Sequence, residues 1–315
     1  MKFQLVRYDN TMAKTWDEFV SASWNGVFLF LRPFVDYHSH IFTDHSLLAC
    51  QDGKLKAVFP ANESGGALHS HQGLTYGGWI LAPRVPADDL DVLFQLLEEY
   101  AKANGFNEIM YKHKPFVFDR HLNDTDAWIL WKNGYELWRR DLSFIIDFKN
   151  FAGFARDKRY RLNKSIRNNL RLDEQGDIKQ FMELVKKNLN RKYNTNPVHT
   201  PGEVELLQKR FPKNIFTLVV FQEDEFLGGT LLFVDNDFIH TQYLHFNDNG
   251  RNLCAAEFLI DSLMNKYGQS KRYLSFGTST DNNGKALNSG LASFKEGFGA
   301  AGFCHDFYRK KLIPA

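Results

Sequence analysis

A chain of 315 residues, 43% hydrophobic and 15% aromatic, can fill one large core or two of ordinary size. Its formal net charge of +2 names no partner, and its three cysteines (Cys50, Cys254, Cys304) are odd in number and widely spaced. That pattern excludes a paired disulfide framework and a Cys-x-x-Cys metal knuckle, and it fits a reducing compartment. The opening MKFQLVRYDN has no apolar signal core, and no apolar run approaches the roughly 20 residues that span a bilayer, so a cytoplasmic location is expected.

The first half reads as strand 46–50, a hairpin turn at Asp52-Gly53, strand 54–61, a turn at Gly65-Gly66 and a third strand over 68–80. Alternation along that third strand puts His69 and His71 on one face. No Cys or carboxylate lies at ligand spacing beside them, so no metal is expected. Tyr76-Gly77-Gly78-Trp79 reads either as a close backbone approach to a ligand or as a bulge. A helix follows over 88–104, with Asp88 as N-cap and Gly105 closing it, then strand 108–112, helix 124–132 and a returning strand 136–148.

A basic stretch comes next. Arg156, Lys158, Arg159, Arg161, Lys164, Arg167 and Arg171 face a single acid, Asp157. Leu162, Ile166 and Leu170 recur at helical spacing, which predicts a helix with one docked side and one positive side. The positive side reads as a contact for a phosphate-rich partner (tRNA, a nucleotide-linked precursor or an acidic membrane surface) through Arg159, Lys164, Arg167 and Arg171, or as a solvated face.

The second half gives strands 215–222, 226–234 and 238–246, a helix 252–267 closed by Gly268, strand 272–276, helix 284–296 and a terminal strand 304–312. Gly297, Gly299 and Gly302 spell G-x-G-x-x-G, but helix precedes them and strand follows, the reverse of a dinucleotide cradle. They read as a helix cap and a return into a strand. The order of elements in the two halves is the same. Gly105 and Gly268 differ by 163 positions, as do Gly134 and Gly297 in WKNGY and FKEGF. The expected organisation is therefore α/β, two tandem units over 1–148 and 149–315.

Several residues suggest chemistry. Asn247, Asn249, Gly250, Arg251 and Asn252 precede a helix, where free N–H groups suit an anion, although an ordinary surface turn reads the same way. His240 and His245 flank Tyr243 on the strand before that loop, and a neutral histidine suits removal of a proton from an ammonium. Ser279 and Asp281 follow a strand end, where open sheets place substrate contacts and turns alike.

A helix ending in aromatic-Lys-x-Gly-Phe before a strand, after strand-strand-strand-helix-strand, resembles the GNAT acyltransferase fold. Two such units resemble the double-GNAT, Fem-type (FemAB-like) branch. GLASFKEGFGAAGFCHDFYRKKL (290–312) is similar to its C-terminal signature, ARDKRYRLNKSIRNNLR (155–171) to the opening of its second unit, and FPANESGGALHSHQGLTYGG (59–78) to its first. The resemblance implies two GNAT-like units with a cleft between them that holds the site. The implied activity is transfer of an acyl group from acyl-CoA, acetyl-CoA for example, to an amine. The alternative is an aminoacyl-tRNA donor, with a cell-wall precursor or a small-molecule amine as acceptor. It implies a reaction centre at the end of the strand 238–246. His245 would then be the base with Tyr243 beside it, backbone N–H groups would stabilise the oxyanion, and the 247–252 loop would hold donor phosphate. His71, Tyr76, Ser279 and Asp281 would be substrate contacts. Two departures stand out: the loop FNDNGRNLCAAEF (246–258) lacks Gln/Arg-x-x-Gly-x-Gly/Ala, and Ser293 stands where many GNAT enzymes carry a Tyr. Both also fit a non-catalytic ligand-binding protein on this fold.

Overall fold

The structure is a computed structural model that describes residues 3–312. The chain forms two compact units whose segments interleave. One comprises Met1–Asp141, Asn282–Lys285 and Cys304–Ala315, the other Leu142–Asp281 and Ala286–Phe303.

In the first unit Phe3–Arg7, Leu47–Gln51, Lys54–Phe59 and Ile80–Leu81 form an antiparallel sheet in that order. Asp52 and Gly53 both take positive φ (50° and 75°), the turn that matches strand twist in a two-residue hairpin. Elsewhere in the unit Glu108–Lys112 lies between Ala67–His69, parallel to it, and residues 307–311, antiparallel to it. The helix Ala87–Ala103 buries Leu90, Leu93, Phe94, Leu97 and Ala101, an i, i+3, i+4, i+7 stripe, against Trp79, Ile109 and Tyr111. Pro86 is its N-cap and makes no side-chain bond; Asp88 lies inside the first turn, where it meets the helix dipole instead of capping. The expected strand 68–80 is a second correction. Only Ala67–His69 and Ile80–Leu81 are extended in sheet. His71 turns out of the strand with φ of +61°, so it does not share a strand face with His69.

The second unit is a six-strand run: Leu170–Asp173, Ile215–Gln222, Glu225–Val234, Phe238–Phe246, Tyr273–Thr278 and the 143–147 portion of Glu136–Asp147. Helix Ala255–Tyr267 buries Leu259, Ile260 and Leu263 in a core with Leu218, Leu232, Ile239, Leu274 and Phe298. Two helices were not anticipated from the sequence: Ile178–Tyr193, capped by Asp177, and Pro201–Arg210, opened by a Thr200–Glu203 capping box.

The expected helix 252–267 begins three residues later, at Ala255. A short turn of helix, Asp248–Asn252, stops where Cys254 goes left-handed (φ +63°), and Ala255–Tyr267 starts afresh. The basic helix ends at Arg167, because the chain turns at Asn169 (φ +50°) into the strand Leu170–Asp173, which carries Arg171. Of the predicted apolar stripe, Leu162 packs against the core from the helix and Leu170 from the following strand, whereas Ile166 is exposed. Lys158 and Ser165 are buried. The glycine register is corrected too. Gly105 and Gly134 take positive φ past their helices, whereas Gly268 is right-handed and Gly297 is the last residue of the helix Ser289–Gly297. Gly299 (φ +78°) makes that return. A Cβ on Gly297 would sit 3.1 Å from the Lys158 side chain, so this glycine makes room for a lysine. Among the described residues no helix is long and apolar enough to cross a membrane.

Candidate active site in the second unit

The strand Phe238–Phe246 runs parallel to Tyr273–Thr278 for only three residues, Phe238, Ile239 and His240. Beyond them it stays paired with Glu225–Val234 alone. Both arms of this opening are bulged. Gln242 is the extra residue where the register shifts opposite Leu231/Leu232, and Phe276 is the extra residue opposite Ile145/Phe144. Bulges bend and twist strands, which is how two neighbours come to diverge.

Polar groups collect where the arms part. The His240 ring lies 3.0 Å from the Ser275 hydroxyl, which also accepts from the Gly277 N–H at 3.3 Å. Burial, and then the charge of Lys295, hold His240 neutral with its pKa lowered to about 4. Lys295, on the helix Ser289–Gly297, donates to the Gly277 and Thr278 carbonyls at 2.9 and 2.6 Å. Among the described residues no carboxylate pairs with it, and burial lowers its pKa to about 7. The next residue, Ser279, is buried, with its N–H on Leu142 and its hydroxyl unpartnered. Asp281 is exposed in a small hairpin and accepts from Asn288 at 3.3 Å.

Further along the strand, the Tyr243 hydroxyl accepts from the His199 N–H at 3.3 Å and lies 3.0 Å from its ring Nδ1. Burial raises the phenol and lowers His199. His245 is half-buried; burial, then Arg251 and Lys192, lower its pKa to about 4, so it is neutral at pH 7. The strand's last carbonyl, on Phe246, accepts from Arg251 at 2.7 Å and Asn188 at 3.1 Å.

The 247–252 loop is largely satisfied internally. The Asn247 side chain accepts from the Gly250 N–H and donates to Phe226, and Asn249 donates to Glu225. The Asp248 carboxylate takes both Arg191 and Arg251, which hold it well below the usual carboxylate range. Asn252 ends the short helix and its carbonyl accepts from the Cys254 thiol. Arg191, Arg251 and Lys192 against Asp248 and Glu225 leave this rim mildly positive. Arg161 extends it, donating to the Arg251 carbonyl at 3.2 Å.

Glu257 anchors the basic helix. It is 1% exposed and accepts from Lys158 at 2.8 Å and Arg161 at 2.6 Å. The Lys158 ammonium also lies 4.5 and 4.4 Å from the Phe294 and Phe298 rings. Arg156, Arg159, Lys164 and Arg167 are exposed and in no ion pair among the described residues, whereas Arg171 pairs loosely with Asp173 and lies over Phe221.

The sequence-derived candidates therefore fall in three places. Tyr243, His245 and the 247–252 loop share one strand end, and Ser279 adjoins Lys295. His71 and Tyr76 belong to the first unit, where Tyr76 stacks on Phe118 at 5.2 Å. Lys295, Ser275 and His199 escaped sequence reasoning. The available signal was a lysine between Phe294 and Phe298 on an apolar helix. In the first unit His113, Asp124 and Asp126 lie close enough to hold a metal ion. Burial opposes charge on His113, but the two carboxylates, 3.2 and 3.1 Å away, raise its pKa to about 10, so the group stands as an ion pair with the ring nitrogen protonated.

No protein-family model and no curated protein matches the sequence. Solved structures do match the fold. The chain is similar to FemX at 13% identity, TM-score 0.70, over 99% of this chain and 98% of that one. It is similar to the C-terminal domain of a lysylphosphatidylglycerol synthetase from Agrobacterium fabrum at 12% identity, TM-score 0.60, over 97% and 93%. A tandem GNAT protein from the clavulanic acid biosynthesis pathway aligns at 8% identity, TM-score 0.54, over the whole of both chains. The fold of this chain is therefore the one shared by FemX and the tandem GNAT protein.

Proposed function

We propose that this chain is an acyltransferase that moves an acyl group from an activated ester to an amine, with aminoacyl-tRNA as donor. One observation carries the reading: a buried lysine without an acidic partner sits at the mouth of two diverging bulged strands. In the step, the acceptor nitrogen attacks the carbonyl carbon, a C–N bond forms and the bond to the leaving oxygen breaks. One proton leaves the nitrogen and one reaches the leaving oxygen. Neutral His245 takes the first, with Tyr243 fixed beside it by His199. Lys295, with its pKa near 7, suits delivery of the second. Backbone N–H groups of 243–246, free of a parallel neighbour, suit the oxyanion.

The donor choice rests on charge and on the loop. Asp248–Asn252 is five residues long, its Gly250 N–H is taken, and Asp248 puts a carboxylate where a pyrophosphate of CoA would lie. The positive rim and the unpaired cations Arg159, Lys164 and Arg167 suit a phosphodiester backbone better. The lysylphosphatidylglycerol synthetase domain, whose name describes a lysyl group on a lipid, is in keeping with an aminoacyl group as cargo. Acceptors to try first are amines of cell-wall precursors, then small amines.

The test supplies the full chain with radiolabelled bulk aminoacyl-tRNA or acetyl-CoA and an acceptor panel, and reads label in base-stable amide. Transfer from tRNA that falls at least about a hundredfold in Lys295→Met is expected. Transfer from acetyl-CoA alone would move the donor to a CoA thioester. Absence of transfer from both, with no rise in melting temperature from either, would sink the enzymatic reading.

A further inference from the structure

The first unit contains a cavity of about 260 Å³ that the reaction above does not use. It opens where the parallel pair of Ala67–His69 and Glu108–Lys112 ends, after His69 and Met110. From there residues 70–79 leave the sheet along a tightly fixed course. Ser70 bonds Met110 and Lys112 across the gap. A Cβ on Gly78 (φ +94°) would meet the Tyr111 hydroxyl at 2.3 Å, so that position admits only glycine. His71 is left-handed (φ +61°), which turns its ring out of the strand.

This course aims two carbonyls at one half-buried cation. Lys112 donates to Gln72 at 2.7 Å and Leu74 at 2.6 Å. That leaves one of its three donors over, and among the described residues no carboxylate pairs with it. Arg139 enters the same cavity. Its guanidinium is fixed by Asp141 at 3.1 and 2.6 Å and lies 4.4 Å from the Phe307 ring. Trp138 meets Phe307 edge to face at 6.3 Å and forms the apolar wall. His71 contributes a buried Nδ1 with no partner. Burial keeps His71 neutral, so the charges of the described lining are Lys112 and Arg139, of which Arg139 alone has a carboxylate partner, Asp141. A half-buried cation with a donor to spare and no counter-charge attracts an anion from solution.

We propose that this cavity is a second ligand site, separate from the acyl-transfer centre, for a small organic anion. The anionic head would meet Lys112 and Arg139, and a flat body would lie on Trp138 and Phe307.

The full chain is titrated with benzoate, phenyl phosphate and neutral benzamide by calorimetry. Saturable one-to-one binding of at least one anion is expected. Benzamide should bind at least about tenfold more weakly, and Lys112→Met should weaken the anion by a similar factor. Preference for benzoate or phenyl phosphate separates a carboxylate from a phosphate ligand. Absence of saturable binding by either anion overturns the proposal, as does equal affinity in Lys112→Met. If that variant fails to fold, acetic anhydride labelling of Lys112 in the unaltered chain replaces it. Protection by the binding anion is expected, and unchanged labelling at saturation overturns the site.

Discussion

Lys295 lies in the last turn of the helix Ser289–Gly297, after Phe294 and before the capping Phe298, and its environment sets its chemistry more than its identity does. Buried against two carbonyls, it has a pKa near 7 in the folded chain against 10.5 as a free side chain. Between those values the unfolded chain binds the extra proton, so stability must rise with pH across that window. Below about pH 7 both states are protonated and the burial penalty is fully present. Urea unfolding at pH 6.5 and 9.5 checks this: the unaltered chain should gain stability relative to Lys295→Met at the higher pH. Activity should move the opposite way. If Lys295 delivers the proton to the leaving oxygen, kcat falls above about pH 7, and His245, with its pKa near 4, gives the acid limb. A profile that stays flat to pH 9 would remove Lys295 from that role. His245 and Tyr243 were legible in the sequence because alternation along a well-marked strand puts them on one face. Lys295 was not, because a lysine in an apolar helix stripe reads as a solvated side chain until its burial is seen. His199 reaches Tyr243 from a loop 44 residues away, and no local pattern encodes that pairing.

At the scale of elements, the strands 108–112, 215–222 and 238–246 matched their sequence ranges because apolar runs there are bounded by clear turn residues. The stretch 68–80 misled because its alternation continues after the chain has left the sheet, where packing replaces strand pairing. The basic helix misled differently. Leu162 docks as its spacing suggested, but a lysine and an arginine on a buried glutamate share the docking surface, and Ile166 of the same stripe faces water. This geometry predicts a large cost for Glu257→Gln, about 3–5 kcal/mol in urea unfolding, because Lys158 is then left buried without its counter-charge. Replacing Lys158 and Glu257 together by methionine should recover part of that loss. The outer face of the helix answers to a different measurement. If Arg159, Lys164 and Arg167 meet RNA phosphates, replacing all three by Gln should flatten the dependence of log affinity on log salt by roughly two to three. An unchanged slope would return them to the role of a solvated face.

For the whole molecule, a division of the sequence at one point does not reproduce the compact units. Residues 307–311 pair with Glu108–Lys112, so the first unit is finished by chain that follows the second. A fragment covering 1–148 lacks that neighbour and should remain unfolded by circular dichroism. The same fragment with residues 304–312 joined by a flexible linker should fold. Equal folding of both fragments would show that the returning segment is dispensable. The element order within each half was readable because it follows local periodicity. The return of 304–312 to the first unit was not, because strand pairing across some 200 residues leaves no mark on either strand alone.

The same interleaving imposes a schedule on synthesis. Residue 304 leaves the ribosome 163 positions after residue 141, a delay of roughly 10–30 s at ordinary elongation rates. Throughout it, Glu108–Lys112 waits with one edge uncovered, while the second unit has every segment it needs by residue 303. The half made first is therefore the half completed last, and during that interval the nascent chain depends on whatever in the cell shields an open strand edge.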